Sequence, residues 1–152
     1  MMARRWALAI VLALLALLFF VLWSPHLVSN PPVNASETLE AVLAPPPGVA
    51  NTLRRACHNC HSNRTEWPWY AHLRPFASKI RNDVRDGRRA LNFSQWKSQT
   101  GADPQVQKKT LETSCVLMQA GMMPPPYYLY IHPSAKLTNK EIREFCAWAR
   151  ER

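Results

Sequence analysis

From Trp6 to Trp23 the chain carries no charged or strongly polar side chain, and no apolar run of that length recurs further on. These 18 residues, at about 1.5 Å each, make a helix of roughly 27 Å, close to the hydrocarbon thickness of a bilayer. Arg4 and Arg5 precede the run, the next Lys or Arg is Arg54, and Trp6 and Trp23 stand where interfacial aromatics belong. The expectation is a single membrane helix with its N-terminus in the cytoplasm and the rest of the chain exported. A cleaved signal peptide is the competing reading. It is weakened by an apolar core longer than usual and by the lack of a small-x-small pattern at Leu22-Trp23-Ser24 or Leu27-Val28-Ser29.

Helical periodicity returns after residue 48. Val49, Leu53 and Ala56 share one face of a short helix over 49–56. Phe76, Ile80 and Val84 recur every fourth position with charged residues between them, and Gly87 reads as a stop. Asp103-Pro104 is a helix start with proline at N1, and Val106, Thr110, Leu111, Cys115, Leu117 and Met118 continue the pattern to Gly121. Met122-Met123-Pro124-Pro125-Pro126-Tyr127-Tyr128 reads as non-helical. The last helix opens on a capping box, Thr138 to Glu141, with Leu137 and Ile142 as a hydrophobic staple and Ile142, Phe145, Cys146 and Ala149 as its buried face. No alternating strand and no internal repeat is found, so the fold class expected is all-α.

Between these regions, residues 24–47 hold six of the 13 prolines. Composition predicts a semi-rigid tether, extending at about 3.1 Å per residue to roughly 70 Å, shortened where Ser36 caps a helix over Glu37 to Ala44. Without Arg4 and Arg5 the chain has 17 Lys+Arg against 10 Asp+Glu. On an exported domain such a charge favours acidic proteins, anionic lipid headgroups or an anionic cofactor as partners, and not nucleic acid.

The chemistry concentrates at Cys57-His58-Asn59-Cys60-His61. This is C-x-x-C-H, the attachment pattern of a covalent c-type haem: two thiols three residues apart reach one edge of a porphyrin, and the next histidine is carried beneath the iron. A structural zinc site would need a second ligand pair, which the chain lacks. A thioredoxin-like dithiol would need a βαβ setting, which the chain does not offer. His61 is the expected proximal ligand, and Met123 the expected distal one, its thioether held by the stiff run that follows. Met122 is the alternative, with His72 and His132 behind it; packing is the bland reading of both methionines. His58 points out of the motif and needs no role. Trp67, Trp69 and Tyr70 are expected to wall the haem. Arg81, Arg85, Arg88 and Arg89 read as a solvated helix face, with a docking patch or propionate contacts as the other readings.

Together, Cys57 to Tyr70, Leu91-Asn92-Phe93-Ser94-x-Trp96, Met123-Pro124-Pro125-x-Tyr127 and His132-Pro133-x-Ala135-x-Leu137-Thr138 resemble the bacterial haem-binding domain family of small cytochrome c-like proteins, over about residues 50–150. The resemblance implies one covalent haem c on Cys57 and Cys60, an exported and often membrane-anchored domain, and electron transfer. The element order is also similar to class I cytochromes c, which pack their first and last helices together. Cys115 and Cys146 are not family positions; on apolar helix faces in an oxidising compartment they form either a disulfide or two buried thiols.

The resulting expectation is an anchor over 1–23, a linker over 24–47 and a cytochrome c-like domain over 48–152. It would sit on the periplasmic side of a bacterial inner membrane and exchange one electron at a time with an unidentified, acidic redox protein, without being an enzyme. A haem-based enzyme or sensor, peroxidase-like or gas-binding, is the alternative. A haem-binding assembly module is the third reading.

Overall fold

The computed structural model describes residues 2–23, 28–74 and 76–152. Residues 24–27, the start of the expected tether including His26, lie outside the described residues, as does Pro75. The described residues form helices and turns without a strand, as the periodicity predicts. They fall into two units, one from residues 1–29 and 67–83, the other from 30–66 and 84–152.

The first unit contains α1 (Met2–Leu22), whose stretch Arg4–Leu22 is long and apolar enough to cross a membrane; a signal sequence has the same character. Its end is bonded to a later segment. Trp23 bridges Leu73 in antiparallel fashion, the Arg74 N–H donates to Leu22 O at 2.8 Å, and the Trp23 ring stacks on Phe19 and on His72. A 3-10 turn at Trp69–His72 and the first half of α5 (Phe76–Ala90) complete this unit. On α5 the expected apolar face is only partly used: Ala77 and Val84 are buried, whereas Phe76 stays exposed.

The second unit holds α2 (Leu39–Leu43), α3 (Pro47–Ala56), α4 (His58–His61), the end of α5, α6 (Trp96–Thr100), α7 (Pro104–Gln119), α8 (Pro126–Ile131) and α9 (Asn139–Arg150). Helix α3 packs on α9, and α9 on α7. Their shared core takes Val49 and Leu53 from α3, Leu111 and Met118 from α7, and Phe145 and Ala149 from α9. A disulfide between Cys115 and Cys146, with Cα atoms 5.2 Å apart, joins α7 to α9 inside this core. Trp148, absent from the expected α9 face, is buried as well.

Several boundaries differ from the sequence expectation. Residues 30–47 are not a tether: Leu39 is 0% exposed and belongs to the core, with Val42 and Leu43 packed against it. Proline-rich composition predicted extension, but three apolar residues on one short helix are enough to dock the segment once a core is present to receive them. Ser36 does not cap α2. Its hydroxyl donates to Asn34, and Thr38 takes the cap, accepting from the Ala41 N–H at 3.2 Å. Gly87 does not stop α5, which runs on to Ala90. Pro126 starts α8 where a non-helical run was expected, because proline at N1 lacks only an N–H that the helix does not use. The local signals at Asp103-Pro104 and Thr138 to Glu141 match: Asp103 accepts from the Gln105 N–H at 2.8 Å, and both bonds of the capping box are present.

Truncating Leu39 should therefore act as a core mutation and not as a linker change. Leu39→Ala is expected to lower unfolding free energy by about 2–5 kcal/mol, as read by chemical denaturation, whereas a residue in a loose tether would leave it unchanged.

Candidate functional site

The attachment turn is one tight helical turn hung from the end of α3. The Cys57 N–H bonds Leu53 O, and the Cys60 and His61 N–H groups both donate to Cys57 O, at 3.2 and 2.9 Å. This single turn brings Cys57, Cys60 and His61 together. Neither motif cysteine is in a disulfide, since Cys115 and Cys146 pair with each other. Burial, and then the neighbouring Cys60, push the Cys57 thiol up to about 12, so it stays protonated at neutral pH.

His61 is oriented by the chain that follows α5. Its Nδ1 lies 3.0 Å from Leu91 O. A carbonyl can only accept, so Nδ1 carries the hydrogen and the lone pair is left on Nε2, the state a metal ligand requires. Burial lowers the imidazole's pKa, against the opposing pull of the Leu91 and Gly87 carbonyls, and favours the neutral ring.

Gly87 explains how that carbonyl comes so near. A Cβ built there would lie 2.6 Å from Cys60 O, so only glycine lets α5 lie against the backbone of the motif. Arg88, one residue on, is no solvated cation. Its Nε donates to Ser62 O at 2.8 Å, and an Nη2 donates to Thr65 Oγ1 at 2.8 Å and Asn30 Oδ1 at 2.7 Å. Arg85 remains exposed and pairs with Asp86.

His58 is not the idle outward residue expected. It is buried, with Nε2 3.2 Å from Glu40 Oε1, close but outside the alignment of a formed hydrogen bond. The histidine, followed by weaker contributions from the backbone and nearby charge, holds the Glu40 carboxyl below its ordinary value despite opposing desolvation. Phe93 lies beside both motif histidines, its ring centroid 5.6 Å from His58 and 6.0 Å from His61. Asn59, between the cysteines, ties the turn to its surroundings. Its carbonyl accepts from Thr65, its Oδ1 from the Glu66 N–H, and its Nδ2 donates to Tyr128 Oη at 3.2 Å.

That last bond reaches the methionine loop's far side. The Met122 and Met123 N–H groups both donate to Leu117 O, so the loop hangs from the end of α7, and Tyr128 follows it on α8. Met123 is 37% exposed and Met122 59%. His132 stacks on Tyr128, with ring centroids 4.1 Å apart. His72 belongs to the other unit, as do Trp67, Trp69 and Tyr70. Sequence reasoning missed Glu40, Gly87 and the Leu91 carbonyl. Asn92 and Ser94, inside the Leu91 to Trp96 motif, did carry a signal: Ser94 Oγ accepts from the Asn63 N–H and Asn92 Nδ2 donates to Asn63 Oδ1, bracing the residues just after the turn.

The family model described as haem-binding domain matches residues 15–151. The chain belongs to the haem-binding domain family. It is also similar to Cytochrome c peroxidase Ccp of Escherichia coli (strain K12), with 28% identity over 95 residues, or 62% of this chain and 20% of that protein. The chain thus spans about a fifth of that relative's length. No solved structure matches.

The residues of this haem-binding domain fit the group on the donor chemistry present. Two thiols and one neutral imidazole, its remaining nitrogen left with a lone pair by the Leu91 carbonyl, share a turn, and a glycine cradle clears the backbone behind them.

Two substitutions check this construction. Gly87→Ala should destabilise by about 1–3 kcal/mol in thermal or denaturant unfolding, although alanine normally favours a helix. Glu40→Gln should cost about 1 kcal/mol at pH 7. Because the carboxyl's folded value lies below its unfolded one, this contribution is full above the usual carboxylate range and fades as pH falls through the folded value. Wild type and variant should therefore differ in denaturation midpoint at pH 7 and converge once the pH has fallen below the carboxyl's lowered folded value.

Proposed function

We propose that the chain is a membrane-anchored monohaem c-type cytochrome that carries single electrons on the periplasmic side. The observation that carries this reading is the Leu91 carbonyl on His61 Nδ1 within a turn that also holds two thiols. Cys57 and Cys60 would hold the porphyrin edge through thioethers, His61 would be the proximal ligand and Met123 the distal one, with Met122 as the alternative. When bound, the haem supplies a one-electron iron couple. The chain's own part is to fix the imidazole, to present a methionine sulfur from a loop held at Leu117 and braced beyond it by Tyr128, and to exclude water with Phe93. The long apolar α1 supports a membrane span, the missing small-x-small pattern after it supports an anchor that is not cleaved, and the basic charge supports an acidic protein partner.

A peroxidase-like role is the second reading. Similarity to Cytochrome c peroxidase Ccp favours it.

Spectra of the purified holoprotein separate the two. The carrier is expected to retain haem through denaturing electrophoresis, to lose it in the Cys57→Ala, Cys60→Ala double variant, and to show a low-spin ferrous form indifferent to CO. Met123→Ala should bind CO and have a lower reduction potential, while Met122→Ala should behave as wild type. A wild-type iron that is high-spin and reacts readily with CO or peroxide overturns the carrier and supports the peroxidase-like role.

A further inference from the structure

The segment Trp67 to Asp83 lies between the attachment motif and the rest of the haem-carrying unit in sequence, yet it groups with α1. Its link to that helix is direct. Leu73 bridges Trp23, the Arg74 N–H donates to Leu22 O at 2.8 Å, and His72 stacks on the Trp23 indole, with ring centroids 5.6 Å apart.

If α1 spans a bilayer, these contacts fix the segment's depth. The apolar run ends at Trp23, so the last turn of α1 lies where hydrocarbon gives way to headgroups. Residues bonded to Leu22 and Trp23 are held at that level. The side chains around them have the matching composition. Trp69 is 74% exposed and Phe76 58%, large apolar surfaces that water would otherwise cover. Tyr70 meets Trp69 edge to face, so Trp23, Trp69 and Tyr70 supply the aromatic residues typical of the interface. Arg74, Lys79 and Arg81 stand against one acid, Asp83, which leaves a positive balance suited to lipid phosphates.

We infer that Trp67 to Asp83 is a membrane-interface element, whose partner is the anionic phospholipid surface of the bilayer that α1 crosses. This rests on reading α1 as an uncleaved anchor. Trp69 and Phe76 insert at the level of the upper acyl chains, with the exposed Arg74 among the headgroups. The haem-carrying unit is then joined to the membrane element at three points along the chain, between residues 29 and 30, 66 and 67, and 83 and 84, and not by one flexible linker.

The test uses the full-length holoprotein in vesicles of phosphatidylethanolamine and phosphatidylglycerol that contain a trace of phospholipid with a diazirine high on its acyl chain. After irradiation and trypsin digestion, mass spectrometry is expected to find lipid adducts on the peptide from Thr65 to Lys79, which stays whole because Pro75 protects Arg74, as well as on α1. The double variant Trp69→Asp, Phe76→Asp should lose that adduct severalfold while α1 labelling persists, and Trp69→Phe should retain it. Adducts confined to α1, or equal labelling of 65–79 in wild type and double variant, overturn the inference. N-terminal sequencing of the membrane-extracted protein keeps the two failures apart, since a mature N-terminus beyond Trp23 removes the anchor itself.

Discussion

An imidazole can present one nitrogen as a ligand only when its other nitrogen is satisfied and its ring cannot turn. In this chain both conditions come from the end of α5. The carbonyl of Leu91 meets His61 Nδ1, and it can do so because Gly87, a turn earlier, has no side chain to keep the helix off the Cys60 backbone. Much of the surrounding construction follows from that approach. Arg88, carried in by the same helix, fastens Ser62 and Thr65 beyond the turn and gathers Asn30 from the start of the domain.

The turn is also held from behind. The segment 30–47, whose prolines make it look like a spacer, buries Leu39 and sets Glu40 beside His58. A buried histidine is costly to leave without a polar neighbour, and the carboxylate supplies one while remaining part-exposed itself. Asn63, Asn92 and Ser94 form a small bonded group on the other flank. The five-residue motif is thereby clamped by elements from both ends of the second unit, which limits the freedom a bound group would have to remove.

The methionine loop depends on a separate chain of support. It hangs from Leu117 at the end of α7, and α7 is joined to α9 by the Cys115–Cys146 disulfide and by shared packing. Helix α9 in turn packs on α3, whose C-cap is Cys57. The loop and the attachment turn are thus referenced to one helical core, and the bond from Asn59 to Tyr128 closes the circuit on the outside.

Legibility followed the range of the interaction. The membrane-length helix, the N-cap at Asp103, the capping box of α9 and the cysteine and histidine spacing depend on residues within a few positions of one another, so sequence alone determined them, together with the helical class and the haem-binding family. Those local signals said nothing about which elements would meet. Whether residues 30–47 would dock, what His58 would face, that Gly87 would be a point of contact and not a stop, and that Trp69 would group with α1 were decided only by tertiary structure. The bond from Arg88 to Asn30 spans 58 positions and that from Asn59 to Tyr128 spans 69. Such contacts form where helices already fixed by packing leave a gap of the right size, and a gap has no residue of its own to be read.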